Sequence, residues 1–118
     1  MTEQQLANEI LAWMKTLGWI SFHVRSSGRM NDGHPVSVVQ GDKGFPDLVG
    51  ISRKQNRILV AELKIGREGT VKGDPRPEQW MWLNAFGQIG NELWHPIETY
   101  VWRPPDLPMI LKILRGRV

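Results

Sequence analysis

Two apolar, β-prone runs, residues 48–51 and 58–63, are separated by the polar segment Ser52-Arg53-Lys54-Gln55-Asn56. Short β-prone runs joined by turn-forming residues read as an antiparallel hairpin. With residues 53–56 as the loop, Ser52 pairs with Arg57, and counting outward sets Asp47 opposite Glu62. Directly opposed residues hold their Cβ atoms about 5 Å apart. Lys64 lies two residues beyond Glu62 and so on the same face of its strand. The hairpin therefore gathers two carboxylates and one ammonium at its open end.

That arrangement carries chemistry. Two carboxylates so close repel, and either one is protonated or a cation sits between them. Hard oxygen ligands in small number suit Mg2+ or Mn2+, which keep several waters and are completed by substrate phosphate. A lysine beside such an ion can orient or deprotonate a water, or stabilise charge on a phosphorane-like transition state. Those are the parts of metal-assisted phosphodiester hydrolysis. The plainer alternative is a surface hairpin in which Asp47 and Lys64 form a solvated pair.

The same residues carry a resemblance. Gly44-Phe45-Pro46-Asp47-Leu48, then Glu62-Leu63-Lys64 ending an apolar strand, then Pro77-Glu78-Gln79-Trp80 opening a helix, resemble the PD-(D/E)xK nuclease motif. They are most similar to its VRR-NUC branch, which includes small phage nucleases akin to Holliday junction resolvases. The likeness spans residues 44–102. It implies a restriction-endonuclease-like α/β core, a mixed sheet of four or five strands flanked by helices. It implies Asp47 and Glu62 as ligands of Mg2+ or Mn2+, with the Leu63 backbone carbonyl as a further ligand. Lys64 then activates or orients the attacking water, and Gln79 lies near the metal-bound water or scissile phosphate. Family members often add a glutamate from the first helix, and Glu9 is the position here that resembles it. Arg25-Ser26-Ser27-Gly28 is similar to an Arg-Ser-Gly element of archaeal-type resolvases. Arg76 stands where the family usually has a helix-capping Ser or Thr.

Composition bounds the rest. At 118 residues the chain fits one domain, residues 1–118. It has no cysteine, which excludes disulfides, thiolate metal sites and a cysteine nucleophile. No apolar run approaches the roughly 20 residues that span a membrane, and acidic Glu3 with its polar neighbours does not read as a signal peptide. The expected location is the cytoplasm. A net charge of +3 is compatible with a polyanionic partner.

In chain order, Thr2 and Gln5 form a capping box that starts a helix at Glu3. Leu6, Ile10, Trp13, Met14 and Leu17 repeat at helical spacing up to Gly18, with Glu9 at the edge of that stripe. Residues 19–25 alternate as a strand with Ile20, Phe22 and Val24 facing inward. Residues 26–35 read as a loop, 36–39 as a further short strand, and the glycine-rich, basic stretch 65–73 as a mobile loop. A second helix opens at Pro77 and ends near Gly87 or Gly90, its tryptophans and Phe86 packing into the core. One or two strands cover residues 93–101, with residues 100–104 the last strand and 109–114 a short closing helix. His23 and His34 read as strand and loop residues, not as ligands. Arg25, Ser27, Arg29, Lys43, Arg67, Lys72 and Arg76 are the expected DNA contacts.

The expected function is a Mg2+-dependent, structure-specific DNA endonuclease, a two-fold homodimer acting on four-way junctions. A nickase or exonuclease of the same chemistry, and a non-catalytic basic DNA-binding module, are the alternatives.

Overall fold

The computed structural model describes residues 1–24, 29–31, 34–36, 41–92 and 96–116. The order is helix α1 (Glu3–Thr16), strands β1 (Ile20–His23), β2 (Arg29–Asn31), β3 (His34–Val36), β4 (Leu48–Ser52) and β5 (Arg57–Leu63), helix α2 (Pro77–Glu92), strand β6 (Ile97–Trp102) and helix α3 (Leu107–Arg115). Four strands form one mixed sheet in the order β1-β4-β5-β6, flanked by the three helices. Among the described residues, β2 and β3 pair with each other in a separate two-stranded sheet. No helix among the described residues is long and apolar enough to cross a membrane.

The hairpin forms in the expected register: Ser52 pairs with Arg57 and Leu48 with Ala61. Asn56 takes the left-handed conformation at φ 58°, which asparagine tolerates better than most residues. β1 adds antiparallel to β4, and β6 adds parallel to β5. A parallel pair needs a crossover, and α2 supplies it. α2 must therefore start near the C-terminal end of β5, where Glu62 and Lys64 lie.

Side-chain alternation divides the sheet into two faces. Leu48, Leu59, Ala61, Leu63 and Trp102 pack with Leu6, Ala7, Ile10 and Met14 of α1 and with Ile110 and Leu114 of α3. The opposite face carries α2, which packs on β6 and β5. At the turn end of the hairpin, Arg57 makes a bidentate pair with Glu98 at 2.6 and 2.8 Å. Its remaining Nη1 donates to the Ile113 carbonyl at 2.7 Å. Gln55 and Trp19 donate to the Leu114 carbonyl at 2.8 and 2.9 Å. The last carbonyls of α3, unsatisfied within any helix, are thus satisfied from the sheet. Burial works to raise the Glu98 carboxyl, but hydrogen bonds from Arg57 and Tyr100 outweigh it and hold the group below its ordinary range.

Three local expectations need correction. The loop over 26–35 contains β2 and the start of β3, whose three-residue strands are too short to show a period; residues 37–40 lie outside those described. Ile20 and Phe22 are 61% and 64% exposed, because β1 is an edge strand and α2 covers β6 and β5 on that face. α2 runs through both glycines to Glu92, and among the described residues beyond it the strand is β6, residues 97–102. The stretch 65–73 is joined by hydrogen bonds to Asp74, which follows it, and to Arg103, which follows β6. The Gly69 N–H donates to Asp74 at 2.9 Å and Arg103 donates to the Gly73 carbonyl at 2.6 Å.

The two α2 glycines separate cleanly. A Cβ on Gly90 would lie 2.6 Å from the Ile97 backbone nitrogen, whereas one on Gly87 would meet Thr99 at an ordinary 3.8 Å. Gly90→Ala should lose about 1–3 kcal/mol by forcing α2 off β6. Gly87→Ala should gain up to about 1 kcal/mol from helix propensity. Urea unfolding of both variants checks the pair.

Candidate active site

Extending the hairpin register by one residue beyond Leu48–Ala61 brings Asp47 opposite Glu62. The Asp47 carbonyl accepts the Val24 N–H at 2.8 Å. Its side chain turns to β5, where Oδ2 accepts the Leu63 N–H at 2.9 Å. One residue further, Pro46 faces Leu63 in the same register. Proline has no N–H to offer the Leu63 carbonyl. In an antiparallel ladder that carbonyl points to the same side as the Leu63 N–H, toward Asp47. The Pro46-Asp47 pair thus replaces a regular ladder rung by a carboxylate and leaves a backbone oxygen on that side.

Glu62 is buried, 2% exposed. Its Oε1 accepts from Gln79 Nε2 at 2.8 Å, and Lys64 Nζ stands 3.8 Å from the same oxygen. Its Oε2 is buried with no hydrogen-bond donor. The Gln79 orientation follows from its other end, where Oε1 accepts the Arg76 backbone N–H at 2.8 Å. A backbone N–H can only donate, so the Gln79 amide nitrogen must face Glu62. Gln79 is at once the N3 residue of half a capping box, reaching back to Arg76, and the clamp on Glu62. Gly44 lets the preceding loop reach this point: its φ is 95°, and a Cβ there would lie 2.5 Å from the Glu78 carbonyl.

Burial first, then the Asp47 charge and a hydrogen bond to Asp47, push the Glu62 carboxyl up to about 9, against the counter-pull of Lys64. Near neutral pH, with no cation between them, the pair holds a proton. Glu3, in the first turn of α1, is also raised by burial and by Asp47, and Lys64 pulls it down.

Glu3, Asp47, Glu62, Lys64, Lys72, Arg76 and Gln79 line one open cavity of about 430 Å³. Of the residues expected at the site, Asp47, Glu62, Lys64 and Gln79 come together there, joined by Lys72 and Arg76 from the expected DNA contacts. Glu9, exposed like Glu3, is outside that lining. The helix carboxylate at the cavity is Glu3, in helical register with Ala7, Ile10 and Met14, the centre of the buried stripe. Glu9 lies six residues further on, roughly 9 Å along the axis and on another side of the helix. The 3-7-10-14 spacing could have identified Glu3. Arg67 is exposed and lies outside the lining. Lys43 lines a neighbouring cavity. Arg25 and Ser27 lie outside the described residues, and Arg29 is placed only as part of β2.

The described residues contain no cluster of three His, Cys, Asp or Glu side chains that could by itself enclose a metal ion. Two carboxylates and a backbone oxygen do suit an ion that keeps waters and is completed by phosphate, and the donor-less Glu62 Oε2 is the atom such an ion would engage. No family model, curated protein or solved structure matches the chain.

The raised carboxyl fixes a pH dependence. Between the ordinary carboxyl value of 4.5 and about 9, the folded protein binds the Glu62 proton more tightly than the unfolded chain. Stability therefore falls as pH rises through that window. Thermal unfolding in EDTA should show this decline, and Glu62→Gln should remove most of it. Added Mg2+ should raise the melting temperature more at neutral than at acid pH.

Proposed function

We propose that this chain is a divalent-cation-dependent DNA phosphodiesterase of the PD-(D/E)xK type, acting on branched DNA. The observation that carries the reading is the buried Glu62 carboxyl. It is set against Asp47, clamped by Gln79 and faced by Lys64, with one oxygen lacking any donor. Carboxyls whose ionisation is shifted by burial and by a like charge in a cleft cluster at functional sites, and that supports the reading.

In this reading Asp47, Glu62 and the Leu63 carbonyl would hold the cation, with Glu3 on the lining of the same cavity. The bound Mg2+ or Mn2+ supplies charge neutralisation at the reacting phosphate. Lys64 orients the attacking water and stabilises negative charge as the new P–O bond forms and the ester P–O bond breaks. Gln79 keeps Glu62 from turning away from the site. Lys72 and Arg76, on the rim of the cavity, meet the flanking phosphates. These contacts read backbone spacing and not base sequence, which favours recognition by the shape of a branch. A two-fold pair of chains would present two such sites to two symmetric strands.

The test is cleavage of a labelled four-way junction beside a matched linear duplex, with Mg2+, with Mn2+ and with EDTA. Paired, metal-dependent cuts near the branch and none in the duplex are expected. Equal cleavage of both substrates would favour the nickase or exonuclease alternative, and binding without cleavage in either metal would sink the nuclease. Asp47→Ala, Glu62→Ala and Lys64→Ala should each lower cleavage by at least about a hundredfold, the scale seen when a transition-state donor is removed, while DNA binding persists. Glu3→Gln should slow cleavage and Glu9→Gln should leave it unchanged. Lys72→Ala should instead weaken binding and flatten its salt dependence.

A further inference from the structure

The tryptophans and Phe86 of α2, expected in the core, do not lie there: Trp80 is exposed, and Trp82 and Phe86 are half-buried. Trp82 packs edge-on against Phe45 with centroids 5.1 Å apart, and Phe86 stands 6.0 Å behind it. The Trp82 indole N–H already donates to the Lys43 carbonyl at 2.9 Å. What the ring offers its surroundings is therefore apolar surface. Phe45 is 37% exposed and Phe22, on the edge strand, 64%. Phe22, Phe45 and Trp82 wall a second cavity of about 730 Å³, within the size range of small-ligand sites. This cavity and the acidic one share Asp47, Arg76 and Gln79 in their linings. They are adjoining chambers.

We propose that the aromatic chamber receives one unstacked nucleobase of the strand whose phosphate lies at Asp47, an inference that rests on the nuclease reading. Its walls suit a flat π-face, since bases stack on aromatic side chains with little regard to sequence. Its rim carries Asp42 and Glu78 beside Lys43 and Arg76. Arg76 is drawn to Glu78 at 3.1 Å. The two carboxylates can accept from exocyclic amines and repel a second phosphate, so the chamber takes a base and the acidic cavity takes the phosphate. A base inside a duplex is stacked on both sides and must be extruded to enter, at an energetic cost that an already unpaired nucleotide avoids. The chamber thus selects DNA with an unpaired nucleotide next to the cut: a branch point, flap or single strand.

The experiment is binding in EDTA, independent of cleavage. The probes are a short labelled oligodeoxycytidylate, whose bases carry an exocyclic amine, and an oligomer of the same length made of abasic residues, which keeps every phosphate. The protein should bind the base-bearing oligomer about ten-fold more tightly, the size of one base–aromatic stack. Phe45→Ala should bring the two affinities together, and Phe45→Tyr should keep them apart; the half-exposed position lets both variants fold, which circular dichroism verifies. Equal binding of both oligomers by the native protein, or an unchanged ratio in Phe45→Ala, overturns the proposal. Absence of Mg2+-dependent cleavage on any DNA would overturn the nuclease reading and leave this ratio untouched, so the two failures are distinguishable.

Discussion

The repulsion between Asp47 and Glu62 is the constraint around which the molecule is arranged. Two carboxyls held across the mouth of a hairpin, one of them buried, raise the free energy of the folded chain whenever both are charged. Such a pair persists only if the scaffold leaves it no room to separate. β4 and β5 fix its register, β6 and β1 brace them from either side, and Gln79 fastens one carboxyl from across the crossover. The strain is local and the bracing is distributed.

Helix α2 serves the site twice through a single geometric demand. A parallel β6 obliges the chain to cross one face of the sheet, and the crossover begins beside the C-terminal end of β5. Its first turn then brings Gln79 to Glu62, and its next turn brings Trp82 against Phe45. The acidic and aromatic chambers adjoin because consecutive turns of one helix wall both. At the other end of the sheet the Arg57–Glu98 pair and the bonds to the α3 carbonyls close the hairpin's turn without any acidic pair left unmatched.

The hairpin was legible because five polar residues between two apolar runs admit few turns, and a register shift of one would have reversed every side chain. That register alone located Asp47, Glu62 and Lys64. Glu9 comes from the family's first-helix glutamate, whereas the 3-7-10-14 spacing that runs along the buried stripe points to Glu3. The strand β1 showed a clean alternation whose apolar side was taken as inward. Which face a helix covers is decided by the crossover to β6, far along the chain. Gly90 read as a helix stop because glycine is the usual stop signal, yet it is there for close approach to Ile97. The α2 aromatics read as core because large rings at helical spacing usually are, and only the packed structure shows Phe45 and Trp82 turned toward an open chamber.

The polarity of the sheet also settles how the two chain ends relate to the chemistry. Met1 lies two residues before Glu3, on the rim of the acidic cavity, whereas Gly116 lies against Gln55 and Arg57 at the turn of the hairpin. The five residue pairs between turn and site separate the two ends by about 17 Å. A fusion partner, affinity tag or surface tether joined before Met1 leaves the fold beside the acidic cavity. One joined after Gly116 leaves from the far side and gives the cavity free access to solvent. For immobilising this protein or attaching a reporter to it, the choice of terminus is dictated by the direction of one strand.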